Sequence, residues 1–209
     1  KKNKAVLYVN VGDYKNVWDE LIRDIPQMRE LATEHFDNWK DTKAFATKAL
    51  SASQINNSDV VTDNNRDDNS KNITADNSSE DTSDNITGIH GFYHKNIFEA
   101  VYCTNLLMRS ADVLVTKPSE LAFYPVPKLF IKRVGGHEQW GAVHSAEIGD
   151  GTLECRDIPH TLQMIKLFME DDTYIIDMCR NIKKNKQMGI YNGAYEAVKL
   201  AVNMKKSDI

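Results

Sequence analysis

The 209 residues are 41% hydrophobic and 27% charged, with a formal net charge of −4. That apolar content suffices for one folded core. The slight acidic balance excludes the basic footprint of a nucleic-acid binder, and no apolar run approaches the ~18 residues of a membrane span. Cys103, Cys155 and Cys179 are odd in number and lack C-x-x-C spacing. They therefore read as small buried hydrophobes in a reducing compartment rather than as zinc or thioredoxin-type ligands. No signal peptide is visible and the expected location is the cytoplasm. The chain opens Lys1-Lys2-Asn3-Lys4 with no initiator Met, which reads as a piece of a larger protein.

In chain order, residues 5–11 are a short apolar run closed by Gly12-Asp13, the pattern of a buried strand and turn. Residues 14–34 have helical spacing, with Val17, Trp18, Leu21, Ile22, Ile25, Met28 and Leu31 on one face; Pro26 predicts a break within it. A second helix is predicted over about 36–51. Residues 56–87 are then dominated by Asn, Asp, Ser and Thr, with eight acids against Arg66 and Lys71. That segment carries a net charge of −6 and leaves the remainder at +2. It holds too little apolar surface to offset chain entropy, so a disordered acidic insert is expected. Its four N-x-S/T sequons, at Asn56, Asn72, Asn77 and Asn85, read as a by-product of composition.

Beyond the insert, His90-Gly91-Phe92-Tyr93-His94 predicts a loop at Gly91, so the two histidines are not expected to share a metal. A helix is predicted over 97–110, strands at 113–115 and 129–131, a short helix over 119–124 and a helix over 137–148. A last strand is expected at 152–155, and helices over 159–170, 172–183 and 190–204. Strands alternating with helices argue for an α/β fold: a Rossmann-like parallel sheet with helices on both faces, interrupted by the insert. The expected organisation is residues 1–55 as the first part of that domain, 56–87 as insert, and 88–209 as the remainder with the C-terminal helices.

Within 110–142 the order of residues is specific. Ser110-Ala111-Asp112-Val113-Leu114-Val115-Thr116-Lys117-Pro118 is followed by Ser119-Glu120-Leu121-Ala122 and a closing Pro127. After the strand Lys128-Leu129-Phe130-Ile131 comes Gly135-Gly136-His137-Glu138-Gln139-Trp140-Gly141-Ala142. This resembles the donor-binding region of glycosyltransferase family 28, which includes the peptidoglycan N-acetylglucosaminyltransferase and the monogalactosyldiacylglycerol synthases. The match is clear over about a third of the chain.

The resemblance implies the nucleotide-sugar-binding half of a GT-B glycosyltransferase, with a UDP-sugar as the donor class and no cofactor. Glu120, beside Ser119, would accept the ribose hydroxyls. His137, Glu138 and Gln139 would hold sugar hydroxyls. Gly135 and Gly136 would let the backbone approach the donor. Lys117 would meet phosphate as a point charge, and Phe92 would reach over the base. The implied partner is an N-terminal acceptor-binding domain carrying the general base, so the chain alone is not expected to be active. Lys183, Lys184 and Lys186 suit a helix C-terminus, and the resemblance adds peripheral membrane contact as a second use for them.

Two departures keep an alternative open. The Gly-rich stretch that the family carries between Lys117-Pro118 and Ser119 is absent, and Gly141 replaces an asparagine. A non-catalytic binding or interaction module on the same fold is that alternative. No Ser–His–Asp order, Walker loop or His-Glu-x-x-His is present, which excludes serine hydrolase, P-loop and zincin chemistry.

Overall fold

The computed structural model describes residues 5–58 and 86–207. It divides into two compact units, Lys4–Ser110 and Ala111–Ile209. Of the predicted insert, residues 59–85 lie outside the described residues.

The N-terminal unit runs β1 (Val6–Asn10), α1 (Lys15–Asp24), a 3-10 turn (Pro26–Met28), β2 (Ala32–Phe36), α2 (Trp39–Ser58), β3 (Gly88–Tyr93) and α3 (Ile97–Met108). Its three strands are parallel, in the order β1-β3-β2. Alternate residues of a strand point to opposite faces, and β3 uses both. Phe92, on one face, is fully buried and packs with Cys103 and Leu107 of α3, Phe45 of α2 and Tyr8 of β1. On the other face, the fully buried Trp18 of α1 covers Gly91, where a Cβ would lie 2.5 Å from the indole. Helices thus cover both sheet faces of this unit.

Three expectations change here. The helix predicted to 34 ends at Asp24, and Ala32–Phe36 is a strand. The cause is Pro26, which ends the helical ladder and starts a separate 3-10 turn. Without a continuous helix the predicted apolar face dissolves: Trp18 is buried, but Val17, Ile25 and Leu31 are exposed. The loop predicted at Gly91 is the central strand β3, because a glycine there is demanded by Trp18 rather than by a turn. Residues 88–110, expected to open the second part of one domain, group with the N-terminal unit, to whose sheet Gly88–Tyr93 supplies the central strand. In addition, α2 continues as helix to Ser58, past the predicted start of the insert.

The C-terminal unit holds β4 (Leu114–Thr116), a 3-10 turn (Glu120–Phe123), β5 (Lys128–Phe130), a 3-10 turn (Gly136–Glu138) and α4 (Gln139–Glu147). Then follow α5 (Ile158–Glu170), α6 (Thr173–Gln187), a 3-10 turn (Ile190–Asn192) and α7 (Gly193–Ser207). β4 and β5 are parallel. The predicted last strand runs alongside β5 without forming a regular ladder. Thr152 N donates to Lys128 O at 3.0 Å and Cys155 N to Phe130 O at 2.8 Å, with one parallel bridge between Lys128 and Gly151.

All three residues of β5 are buried. Leu129 packs with Cys155, Phe168 of α5 and Met178 of α6, whereas Phe130 packs with Ala122 and Ala142 of α4. The leucine, phenylalanine and methionine side chains each contribute roughly 1.5–3 kcal/mol by leaving water, and the two clusters place helices on both faces of β5. Asp157 caps α5, its Oδ1 accepting from His160 N at 2.8 Å. Cys103 and Cys155 are buried, as expected of small hydrophobes, but Cys179 is exposed.

Candidate functional site

The loops that follow the parallel strands β4 and β5 leave from the same edge of their sheet. Ligands of open α/β sheets gather at such carboxyl ends. The loop after β4 carries Lys117, Pro118, Ser119 and Glu120; the loop after β5 carries Arg133 to Glu138. Gly141 lets the two approach: a Cβ there would meet the Pro118 carbonyl at 2.5 Å. The residue that departs from the asparagine of the resembled motif thus has a packing reason to be glycine.

Across this contact Lys117 Nζ donates to Glu138 Oε1 at 2.7 Å. Glu138 Oε2 accepts from Val134 N at 2.8 Å and from Gly135 N at 3.1 Å. The Lys117 ammonium, seconded by these two N–H groups, holds the Glu138 carboxyl down at about 2. The same bond raises Lys117 above its ordinary value. Glu138 is 7% exposed, with both oxygens engaged. It is a brace for the 134–138 loop, which differs from the expected role of meeting sugar hydroxyls. Glu120 stands beside this pair, exposed and coupled to both charges. Its own backbone N–H and the Ser119 hydroxyl keep its carboxyl below the usual range, so it is ionised at neutral pH.

Gly136, His137 and Gln139 are exposed at the start of α4, and the His137 ring lies over Gly135, where a Cβ would be 2.7 Å from it. The expectations for Lys117, Ser119, Glu120, Gly135, Gly136, His137, Glu138 and Gln139 therefore fall on one contiguous surface. Phe92 does not join them. It belongs to the N-terminal unit, is 0% exposed, and is stacked on His35 with ring centroids 4.7 Å apart. A ring buried on this scale has no face to offer a base, and the expected base contact is corrected to a core role.

Next to the braced loop lies a cleft of about 640 Å³. Lys132, Arg133 and Val134 line it from one side, Gln139, Ala142 and Val143 from α4, and Leu153, Glu154 and Arg156 from the segment after Gly151. Arg133 Nη1 donates to Glu154 Oε2 at 2.8 Å, and Arg133 N to Glu154 Oε1 at 2.9 Å. Sequence reading singled out none of these cations. The available signal was Lys132-Arg133 directly after a strand, with Glu154 and Arg156 flanking Cys155.

His90 and His94 take part in two separate arrangements in the N-terminal unit. His90 Nε2 lies 3.1 Å from the Thr87 carbonyl and donates to it. Its Nδ1 is then the acceptor for His35 Nε2 at 3.2 Å. Burial pulls both imidazoles below their ordinary value. His94 is fully buried, with Nε2 3.2 Å from Thr42 Oγ1. Lys183, Lys184 and Lys186 are exposed near the end of α6, and among the described residues no helix is long and apolar enough to cross a membrane.

The fold is mixed α/β with small parallel sheets, and the candidate site is a charged cluster at strand carboxyl ends. The chain belongs to the family described as domain of unknown function DUF6938, whose model matches residues 1–77 and 52–202. No curated protein and no solved structure matches it.

Proposed function

We propose that residues Ala111–Ile209 supply the nucleotide-sugar site of a GT-B glycosyltransferase, on a Rossmann-like sheet, with a UDP-sugar as donor. The observation that carries this reading is the Lys117–Glu138 brace, which joins the loops after two parallel strands with the ionised Glu120 beside it. In this scheme Glu120 accepts the two ribose hydroxyl protons, with Ser119 holding its carboxylate. Lys117 and the backbone at Gly135 and Gly136 lie along the diphosphate, and His137 and Gln139 meet the sugar. Glu138 acts through the loop it shapes. Transfer of the hexosyl group then rests on orientation and on stabilising the leaving diphosphate. The acceptor and the general base belong to an N-terminal domain. The setting is the cytoplasm, with Lys183, Lys184 and Lys186 available to an anionic membrane surface.

A second reading, a non-catalytic binding module, draws on two facts. Both oxygens of Glu138 are already engaged, and the Gly-rich stretch after Pro118 is missing. Calorimetric titration with UDP, UDP-glucose and UDP-N-acetylglucosamine separates the two. The donor reading expects saturable binding that weakens about tenfold in Glu120→Ala, as loss of hydrogen bonds to a charged group does. Absence of binding to all three nucleotides at millimolar concentration would leave the non-catalytic module.

A further inference from the structure

The cleft beside α4 carries charge that the nucleotide-sugar scheme does not use. Glu138, just before α4, and Gly141 within it face the loop after β4, whereas Gln139, Ala142 and Val143 line the cleft. At 100° per residue these are different flanks of one helix. The cleft therefore adjoins the surface of Lys117 and Glu120 on a neighbouring flank, with Gln139 bordering both.

Three cations line it, Lys132, Arg133 and Arg156, against one carboxylate, Glu154. Arg133 and Glu154 satisfy each other at 2.8 Å and are partly sheltered, with side-chain exposures of 36% and 16%. The backbone N–H of Arg133 also donates to Glu154, so the carboxylate is held at both oxygens and orients the one guanidinium N–H that it accepts from. Lys132 and Arg156 are exposed, and neither side chain has an ion-pair or hydrogen-bond partner among the described residues. The site thus holds two uncompensated cations beside a third that is oriented by its own carboxylate. Apart from Gln139, the rest of the lining is apolar: Val134 is 87% exposed and Leu153 63% exposed, with Ala142 and Val143 completing it. Exposed aliphatic side chains beside unpaired cations fit an anion that carries an apolar body. Guanidinium groups favour phosphate oxygens through paired N–H donors.

We infer that this cleft binds the phosphate end of an organic phosphate, with Lys132, Arg133 and Arg156 on the phosphate and Val134, Val143 and Leu153 against its carbon chain. None of the three cations is used by the nucleotide-sugar reading, and the site does not rest on it.

Its test is calorimetric titration of the full chain with hexyl phosphate and with inorganic phosphate. The expected result is saturable binding of hexyl phosphate, at least tenfold tighter than inorganic phosphate. It should weaken at least tenfold in the double variant Lys132→Gln/Arg156→Gln and stay within twofold in Glu120→Ala. Both replaced side chains are exposed, and circular dichroism of the variant checks that the fold is kept. No saturable binding of hexyl phosphate, or binding that the double variant leaves unmoved, would overturn the proposal. Equal affinity for the two phosphates would also overturn it, because the apolar lining would then have no part. Failure of UDP binding in the separate nucleotide titration leaves each of these outcomes as it stands.

Discussion

At the scale of single residues, Glu138 has the most defined environment in the candidate site. It meets an ammonium and two backbone N–H groups while only 7% exposed. Its carboxyl lies at about 2 in the folded chain against an ordinary 4.5. Because the folded value is the lower one, the carboxylate stabilises the fold fully above the ordinary value. That contribution is lost as pH falls from there toward 2. Glu138→Gln removes it at every pH. The variant should unfold at lower urea concentration than the parent at neutral pH, and the gap between their midpoints should close between about pH 4.5 and pH 2. Urea titrations followed by circular dichroism at several pH values measure this, and a gap independent of pH would refute the charge-based brace. The identity of Glu138 as a notable residue was legible in the sequence through its motif. Its partner was not, because Lys117 lies 21 positions away and only the pairing of β4 with β5 brings the two together.

At the scale of elements, the N-terminal sheet shows how a long-range contact overrides a local signal. Gly91 reads as a loop former, and Pro26 and the polar Thr33-Glu34-His35 run conceal an edge strand. In the fold Gly91 sits under Trp18, whose Nε1 donates to Glu34 Oε1 at 2.9 Å, so the helix α1 is tied to β2 as well as to β3. Gly91→Ala should therefore cost roughly 1–3 kcal/mol through overpacking of the indole. Trp18→Leu should relieve part of that cost, so the double variant is less destabilised than the two single changes added together. Chemical unfolding of all four proteins tests the cycle, and simple additivity would show that Gly91 is not there for Trp18. The helices α3, α5 and α6 were legible because their apolar spacing runs for three turns or more. The strand β2 was not, since five residues with an exposed, polar centre carry little periodic signal.

At the scale of the whole molecule, each unit has its own means of binding helices to strands. In the N-terminal unit this is a cluster of rings, with His35 and Phe45 each in contact with the other and with His90 and Phe92. In the C-terminal unit it is a buried polar network around Asp150. Lys128 Nζ lies 2.8 Å from Asp150 Oδ2, both side chains being 0% exposed, and also donates to the carbonyls of Tyr124 and Val126. Ser145 donates to Asp150 Oδ1, and Tyr191 Oη to Oδ2 at 2.8 Å. Burial pulls Lys128 below its ordinary range while Asp150 opposes the shift, and burial pushes the Tyr191 hydroxyl up to about 12. The network joins β5, the end of α4 and the turn before α7. Asp150→Ala strands a buried ammonium and should cost about 3–5 kcal/mol. Tyr191→Phe keeps the ion pair and should cost only about 1 kcal/mol. Thermal or urea unfolding ranks the two, and equal effects would mean that the ion pair is not the centre of the network.

The sequence by itself determined the alternation of strands and helices after residue 97 and the mixed α/β class with parallel strands. These follow from local periodicity, caps and turn residues, which act over a few positions; the grouping of Lys117 to Glu120 with Gly135 to Gln139 came from the motif resemblance instead. The tertiary structure alone decided the rest. It made Gly91 the middle of a strand, sealed Phe92 in a core, turned Glu138 from a free carboxylate into a brace, and drew Lys132, Arg133 and Arg156 around one cleft. The physical reason is common to all four: each depends on which distant side chain fills the space next to it, and that is set by strand pairing and helix packing rather than by neighbours in the chain.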